Sequence, residues 1–334
     1  MNKRIIIFML VFLLGFGFPS LLLRWVPEKA DTETYPTDHQ EKHQTLPEST
    51  ANEKPSQKLR FLDHNGVVKS IELEEYVKGV VLAEMPASFE IEAIKAQAIA
   101  VRTYTLRRKK LQNKHEGADV CGQSSCCQAY ITVNDYLKYG RTEDVQRVAD
   151  AVEATMGQVL IYQGELIEAT YFSSSGGYTE DALAVWGEEI PYLQATESPG
   201  EDNLKDSMAT MYITKEEFSR QIGFDLSGSP ENWFRDVSFT EGYGVEYVNI
   251  CGKLFKGTEI RNLLGLKSTM FSISVIGETV TITTKGNGHR VGMSQYGAEA
   301  MALNGSNYLQ ILAHYYKGAE LTNFDKKLIS ADSN

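Results

Sequence analysis

The chain has 334 residues, of which 42% are hydrophobic, so it is long enough to bury one large core or two smaller ones without disulfide staples. The formal net charge of −11 disfavours nucleic acid as a partner, because phosphate binding depends on clustered Lys and Arg. An uncharged or lightly charged polymer remains compatible with this composition.

The N-terminus predicts a membrane anchor. Lys3 and Arg4 precede an apolar run over residues 5–23, and a membrane-spanning helix needs about 20 such residues. A cleaved signal peptide is the alternative, but its apolar region is usually shorter and ends at a small-x-small site, whereas RWVPE follows here. The cations place residues 1–4 in the cytoplasm and the remaining chain outside.

Residues 28–58 are rich in Glu, Lys, Thr, Pro, Ser and Gln and nearly lack large apolar side chains. This composition is typical of a disordered linker. We therefore place the linker at residues 24–58, a folded domain at 59–325 and a short tail at 326–334.

The folded domain begins with two short strands around an Asn-Gly turn, followed by two helices. The first helix is predicted from Leu73 to Ala83. After Pro86, Ser88 can cap the second helix, which fades near Leu111.

Beyond Gly157 the pattern becomes strand-like, and two helices close the chain. The predicted strands are 159–162, 167–172, 269–275 and 279–284, and the closing helices are 294–303 and 306–316. Because helices and strands occur in blocks and not in βαβ alternation, we predict an α+β fold with mixed helices and antiparallel sheet, preceded by one transmembrane helix and the linker.

Glu84 is the first candidate for chemistry. It follows the first predicted helix and is flanked by Val, Leu, Met and Pro, so its carboxyl should be partly desolvated. Desolvation raises a carboxyl pKa and suits the group to donate a proton near neutral pH. A structural ion pair with Lys95 or Arg102 of the second helix is the alternative, since such pairs also perturb pKa values.

A second candidate site is the cysteine-rich segment HEGADVCGQSSCCQAY at residues 115–130. His115 with Cys121, Cys126 and Cys127 would complete a tetrahedral zinc site, and such a closed set is structural. A disulfide is the alternative in an extracytoplasmic chain, and Cys121 would then bridge to one of the two adjacent cysteines.

Five segments, in order, resemble the stage II sporulation protein D family. They are LEEYVKGVVLAEMPASF at 73–89, EAIKAQAIAVRTY at 92–104, YFSSSGGYT at 171–179, GTEIRNLLGLKS at 257–268 and GNGHRVGMSQYGA at 286–298. The resemblance spans residues 59 to about 320. Members of this family are membrane-anchored lytic transglycosylases that cleave peptidoglycan glycan strands during forespore engulfment.

The resemblance implies that Glu84 is the catalytic acid. It would protonate the glycosidic oxygen between N-acetylmuramic acid (MurNAc) and N-acetylglucosamine (GlcNAc), then take the proton of the sugar's own 6-hydroxyl, leaving a 1,6-anhydro end. Ordinary glycosidases use two carboxylates. One can suffice here because the substrate's acetamido group or 6-hydroxyl supplies the nucleophile.

The resemblance also implies substrate-binding positions. On the second helix, Lys95, Gln97 and Arg102 would donate to sugar or lactyl oxygens, with a solvated or ion-paired helix face as the alternative. The Arg102 guanidinium could hold a carboxylate of the substrate or of Glu84 itself. The remaining positions are Tyr171, Ser173, Ser174, Ser175, His289, Gln295 and Tyr296; a polar turn is the alternative for the serines, and a buried, hydrogen-bonded side chain for His289.

The resembled family includes members with a zinc site of two His and two Cys in this segment. Here Cys126 occupies the position where a His is expected. Four ligands remain, so the resemblance implies a structural zinc at His115, Cys121, Cys126 and Cys127. Cys126 adds a thiolate charge to that site.

We also predict two lobes around a glycan cleft as part of this fold. The resemblance further implies a domain that works between the mother-cell and forespore membranes. The implied partners are peptide-stripped glycan strands, a cell-wall amidase that makes them, and a membrane scaffold of the engulfment complex. Two other functions stay open: a non-catalytic glycan-binding scaffold, and a zinc hydrolase with the cysteine cluster as its active site.

Overall fold

The computed structural model describes residues 57–112, 114–201, 204 and 208–329. Within these ranges the α-helices are α1 (Leu73–Glu84), α2 (Ile91–Leu111), α3 (Val133–Tyr136), α4 (Thr142–Ala154), α5 (Ala182–Trp186), α6 (Lys215–Ile222), α7 (Gly257–Leu264), α8 (Gln295–Leu303) and α9 (Tyr308–Tyr315). The strands are β1 (Lys58–Leu62), β2 (Val68–Glu72), β3 (Val120–Cys121), β4 (Gln158–Tyr162), β5 (Glu165–Leu166), β6 (Tyr171–Phe172), β7 (Met208–Thr214), β8 (Phe234–Phe239), β9 (Val245–Ile250), β10 (Lys253–Lys256), β11 (Phe271–Ile276), β12 (Thr279–Lys285), β13 (Met293–Ser294) and β14 (Glu320–Asn323).

The local predictions for the hairpins and the long helices are confirmed. Strands β1 and β2 pair antiparallel, as do β11 and β12, and α1, α2, α8 and α9 lie where the periodicity placed them. The cap assigned to Ser88 is wrong, because α2 begins three residues later. Ser88 lies instead in a turn in which the Phe89 N–H donates to the Pro86 carbonyl at 3.1 Å.

The predicted fold class is wrong in one respect: no helix of the described part of the chain is long and apolar enough to cross a membrane. The mixed helices and antiparallel sheets are confirmed. Two short pairs, β1 with β3 and β6 with β13, are parallel, because helices carry the chain back between the paired strands. The predicted span at 5–23, the tip at 1–4 and the linker up to residue 56 lie outside the described residues.

Helix α2 is the central element of the part of the fold that carries Glu84. It packs against α1, α4, α8, α9 and β4. Ala93, Ala96 and Ala100 are fully buried, and their small side chains let the neighbouring elements approach closely. On the other side, Val77 and Val80 of α1 are also fully buried, and each such side chain contributes about 1.5–3 kcal/mol.

Residues 208–285 build a separate apolar core around Trp233, Phe218 and Phe255. This region contains two three-stranded sheets, in the orders β10-β9-β8 and β11-β12-β7. A buried ion pair outside this region connects it to the rest of the fold. Arg290 Nη1 lies 3.0 Å from Glu180 Oε1, and this carboxylate oxygen also accepts the hydroxyl of Thr240, which belongs to the region, at 2.9 Å.

Candidate active site

Glu84 is the last residue of α1 and is half-buried. The helix ends there because Met85 leaves the helical conformation and Pro86 follows. The Ala129 N–H donates a hydrogen bond of 2.7 Å to Glu84 Oε1. Burial raises the pKa of the Glu84 carboxyl above its ordinary value, and the hydrogen bond from Ala129 opposes this rise.

The carboxyl lies between two cavities. The first has a volume of about 1050 Å³ and the second of about 970 Å³, and Glu84 and Ser173 line both of them. The first cavity is also lined by Asp63, Tyr130, Asp135, Tyr139, Gln295 and Tyr296. The second is also lined by Tyr104, Arg108, Lys114, Tyr171, Trp186 and His289. Glu84 can therefore contact a long molecule that occupies both cavities.

The two cavities also correct the predicted arrangement of two lobes around a cleft. No residue of the 208–285 region lines either cavity. The walls come from the elements around α1 and α2, from the segment after β6, and from residues 287–296. The cleft therefore lies within one part of the described fold and not between that part and the region with the separate core.

The predicted site residues separate into two groups. Glu84, Tyr171, Ser173, His289, Gln295 and Tyr296 line the cavities. Lys95, Gln97, Arg102, Ser174 and Ser175 line neither cavity. The substrate contacts expected of the second group stay predictions, and this placement does not support them.

Arg102 is fully buried and binds Glu74 in a bidentate pair. Its Nε and Nη2 donate to the two carboxylate oxygens at 2.8 and 2.7 Å, and Nη1 donates to the Gln158 carbonyl at 3.2 Å. The expected pairing of Arg102 with Glu84 is therefore wrong. Glu74 and Glu84 occupy opposite ends of α1, about 15 Å apart at the helical rise, so one guanidinium cannot bind both.

The other two predicted site residues of α2 also line neither cavity. Lys95 donates to Glu92 one turn earlier at 2.7 Å and lies over the ring of Tyr308. Gln97 is fully buried, and among the described residues neither its Oε1 nor its Nε2 has a hydrogen-bond partner.

Three other carboxylates around the cleft are bound to cations. Lys69 holds Asp63 at 2.6 Å and lowers the pKa of that carboxyl, and Lys138 does the same for Asp135 at 2.5 Å. Arg107 and Arg108 both donate to Glu168. The pKa of the Glu84 carboxyl moves in the opposite direction, which separates it chemically from the carboxylates of Asp63 and Asp135.

Gln128 is a site residue that the sequence did not reveal. It is buried, and its Oε1 accepts the Tyr171 hydroxyl at 2.9 Å, while its Nε2 donates to Thr105 Oγ1 at 3.0 Å. These bonds fix the backbone next to Ala129, the donor to Glu84. The only sequence signal was that Gln128 follows the cysteine pair, because its partners are distant in the chain.

His289 is held as a neutral side chain. The Val291 N–H donates to its Nδ1 at 3.1 Å, and the rings of Phe172 and Trp186 lie 5.6 and 5.7 Å from the imidazole. Burial, and secondarily the positive charge of Arg261, lowers the pKa of His289 to about 4. The imidazole therefore carries no charge at neutral pH.

Gln295 and Tyr296 enter the first cavity from the N-terminus of α8. The Tyr296 N–H donates to the Ser173 carbonyl at 3.1 Å, and its ring packs edge-on against Phe89. Gln295 is only 4% exposed, and its Nε2 has no hydrogen-bond partner in the described residues. An amide donor is therefore available at the cavity wall.

The cysteine-rich segment forms a cluster that could hold a metal ion. The ligand atoms of His115, Cys121, Cys126 and Cys127 all lie within 4.8 Å of one another. His115 Nε2 is 3.4 Å from Cys127 Sγ and 3.5 Å from Cys126 Sγ. Ligands of a tetrahedral zinc lie about 3.6–3.8 Å apart at normal bond lengths, so the cluster fits this ion. The cysteines are free thiols.

Comparison with known proteins identifies the family. The family model described as "Stage II sporulation protein" matches residues 63–162. Stage II sporulation protein D of Bacillus subtilis (strain 168) is 40% identical over 266 residues, which cover 78% of this chain and 77% of that protein. The Bacillus amyloliquefaciens protein of the same name is 38% identical over 286 residues, covering 84% and 83%.

A more distant relative is the amidase enhancer of Bacillus subtilis (strain 168). It is 30% identical over 308 residues, which cover 74% of this chain and 40% of the enhancer. Both sporulation proteins match this chain at 38–40% identity over 78–84% of its length. The chain therefore belongs to the stage II sporulation protein D family.

Proposed function

We propose that this chain is a lytic transglycosylase that cleaves peptidoglycan glycan strands, with Glu84 as acid and then base. Membership in a family named for stage II of sporulation, and similarity to a protein named amidase enhancer, support a cell-wall-related role in sporulation. The observation that carries the specific reaction is the Glu84 carboxyl with a raised pKa, at the junction of two cavities.

The proposed reaction needs only one carboxyl. Glu84 gives its proton to the glycosidic oxygen as the bond from that oxygen to C1 of MurNAc breaks. The 6-hydroxyl of the same sugar bonds to C1, and its proton passes to the Glu84 carboxylate. No water is consumed, and the carboxyl ends in its starting protonation state. Because Ala129 already donates to Oε1, the proton that is transferred resides on Oε2.

The cleft suits a polymer of sugar rings. Tyr130 and Tyr139 in the first cavity, and Trp186 in the second, offer aromatic rings to sugar faces on both sides of Glu84. The unpartnered Gln295 amide supplies a donor for a sugar hydroxyl or acetamido oxygen. A strand that crosses both cavities would place one glycosidic bond at the carboxyl.

We infer that zinc is the ion of the cysteine cluster and that it is structural. His115, Cys121, Cys126 and Cys127 would hold it, and when bound it crosslinks the segment without an open coordination position. Ala129, two residues beyond Cys127, donates to Glu84, so an ordered segment keeps this donor in place. A closed thiolate-rich set does not suit the alternative of a zinc hydrolase.

The partners and location implied by the resemblance form part of the same proposal. A cell-wall amidase would supply strands without stem peptides, and a membrane scaffold would hold both proteins in the engulfment complex. The folded domain would act outside the cytoplasm, between the mother-cell and forespore membranes. Co-purification of this chain with such an amidase from sporulating cells tests the association, and its absence after crosslinking counts against it.

The second candidate is a glycan-binding protein without catalysis, which the similarity to an amidase enhancer favours. Purified full-length protein should be incubated with peptide-stripped strands, and the products analysed by mass for 1,6-anhydro-MurNAc ends. Wild type should form them, and Glu84→Gln should form them about 100- to 10,000-fold more slowly. Glu75→Gln, at an exposed position of the same helix, is the matched control and should retain activity. Binding without anhydro ends in wild type would favour the second candidate.

A further inference from the structure

Glu201 is 1% exposed, yet its carboxylate accepts five hydrogen bonds. Oε2 accepts the backbone N–H groups of Ser175 at 2.5 Å and Gly176 at 3.0 Å. Oε1 accepts the hydroxyls of Ser175 at 2.9 Å, Ser198 at 2.6 Å and Ser294 at 2.6 Å. All five donors are neutral, and burial of a carboxylate is costly unless such donors are aimed at it. The arrangement therefore requires a side chain that accepts hydrogen bonds at both of its oxygens.

Four of these five donors belong to two chain segments that line the cleft together with Glu84. Ser175 lies in the segment after β6, in which Ser173 lines both cavities. Ser294 ends β13 and caps α8, accepting the Gly297 N–H at 3.2 Å. This helix start carries Gln295 and Tyr296 into the first cavity. Glu201 thus joins the two segments from behind the cleft.

A glycine keeps the space that this junction requires. At Gly297, a Cβ atom would lie 2.1 Å from both Ser198 Oγ and Tyr315 Oη and 3.0 Å from Glu201 Oε1. Real Cβ atoms do not approach other heavy atoms so closely. Helix α8 can therefore pack against the Glu201 carboxylate only with glycine at this position.

We propose that Glu201 is a positioning residue for the glycan. Its carboxylate fixes the segment of Ser173 relative to the start of α8, and so sets the distance between the cleft wall and Glu84. Glu201 lines neither cavity and acts only through the two segments. This inference rests on the proposed function, because it assumes that a glycan occupies the cleft.

Glu201→Gln tests the role in the full-length protein. The amide keeps the size of the side chain. Its NH₂ group replaces one carboxylate oxygen, so the donors that bound that oxygen lose their acceptor. We expect KM for peptide-stripped strands to rise about tenfold with a smaller change in kcat. Tenfold corresponds to about 1.4 kcal/mol, the scale of a hydrogen bond to a charged group. Amide exchange should accelerate at residues 173–177 and 294–297 and stay unchanged in the 208–285 region.

Ser198→Ala is the matched control. It removes one donor from the same carboxylate oxygen, but Ser198 belongs to neither of the two cleft segments. It should lower the midpoint of thermal unfolding and leave KM unchanged. If folded Glu201→Gln binds and exchanges like wild type, or if Ser198→Ala raises KM to the same extent, the positioning role is wrong.

Binding is also measured in the Glu84→Gln background, where turnover plays no part. Weaker binding of the strands after Glu201→Gln supports the positioning role even if wild type makes no anhydro ends, in which case only the proposed reaction fails. Should Glu201→Gln not fold, Ser175→Ala and Ser294→Ala keep the carboxylate and remove one cleft-segment donor each. Each should weaken binding more than Ser198→Ala, and equal binding by all three overturns the proposal.

Discussion

The Ala129 N–H donates to the Glu84 carboxyl across 45 residues of sequence, at 2.7 Å. This bond joins the end of α1 to the chain just beyond the cysteine cluster. It leaves the other carboxyl oxygen free for chemistry and stabilises the carboxylate that remains after proton donation.

The pH dependence of cleavage should report the raised pKa of Glu84. The proposed reaction begins with the protonated carboxyl, so kcat/KM should fall as the pH rises through this pKa. Because burial raises that pKa, the fall should occur above pH 4.5, the ordinary value for glutamate. Initial rates of anhydro-end formation across pH give the profile, and a decline centred at 4.5 or below would contradict the assignment.

Glu84→Gln should lower the rate about 100- to 10,000-fold at the optimum.

The same group should affect stability. A carboxyl whose pKa is raised in the folded state favours folding fully below its unfolded pKa, and this contribution is lost as the pH rises through the folded value. The glutamine side chain in Glu84→Gln carries no charge at any pH. We therefore expect the variant to be more stable than wild type at pH 7, with the difference shrinking toward pH 4. Denaturant unfolding of both proteins at the two pH values measures it, and a constant difference would argue against a raised pKa.

Glu74→Gln should unfold the protein more easily without slowing the chemistry. It removes the charge that compensates the fully buried Arg102 guanidinium, and breaking a buried pair costs about 3–5 kcal/mol. Because Glu74 is still about 22% exposed at its side chain, the lower end of this range applies. The free energy of unfolding should fall, while kcat of the folded fraction stays at the wild-type value. A large loss of kcat at full folding would instead connect the pair to the reaction.

Gly79→Ala should destabilise α1 despite the better helix propensity of alanine. The propensity gain is about 1 kcal/mol. A Cβ at Gly79, however, would lie 2.3 Å from the Tyr130 ring and 2.6 Å from the Ile131 carbonyl, and such overpacking costs about 1–3 kcal/mol. Since Tyr130 lines the first cavity, glycan affinity should fall together with the unfolding midpoint. A more stable variant with unchanged affinity would show that this packing is loose.

The purified protein should contain one zinc ion per chain. Cys121→Ser should lower the zinc content and the unfolding midpoint, because it removes one ligand of four. Cys251→Ser, outside the cluster, is the control and should keep full zinc content. Elemental analysis, together with an assay of the zinc released by a thiol reagent, measures the zinc content of both variants. Equal zinc loss in the two variants would place the metal elsewhere.

The sequence predicted what depends on neighbouring residues. The end of α1 at Glu84 followed from an apolar helix pattern and a proline, and the ligand cluster followed from four residues close together in sequence. The partner of Arg102 did not follow, because the sequence offered Glu84 and only the packing of α1 against α2 brings Glu74 to the guanidinium. Gln128 and Glu201 were missed because most of their partners lie tens of residues away, where no local pattern records the contact.

In sequence, the 208–285 region lies between two segments of the cleft wall, the segment after β6 and residues 287–296. Ser174 and Asn287 exchange two backbone hydrogen bonds, of 3.2 and 2.7 Å, and so close a loop of more than a hundred residues. Contacts of such long sequence separation form slowly, because the loop entropy must be lost first. We therefore expect the Glu84 helix to fold early and the cleft to close late, so that a nascent chain has its proton donor before it has a binding site.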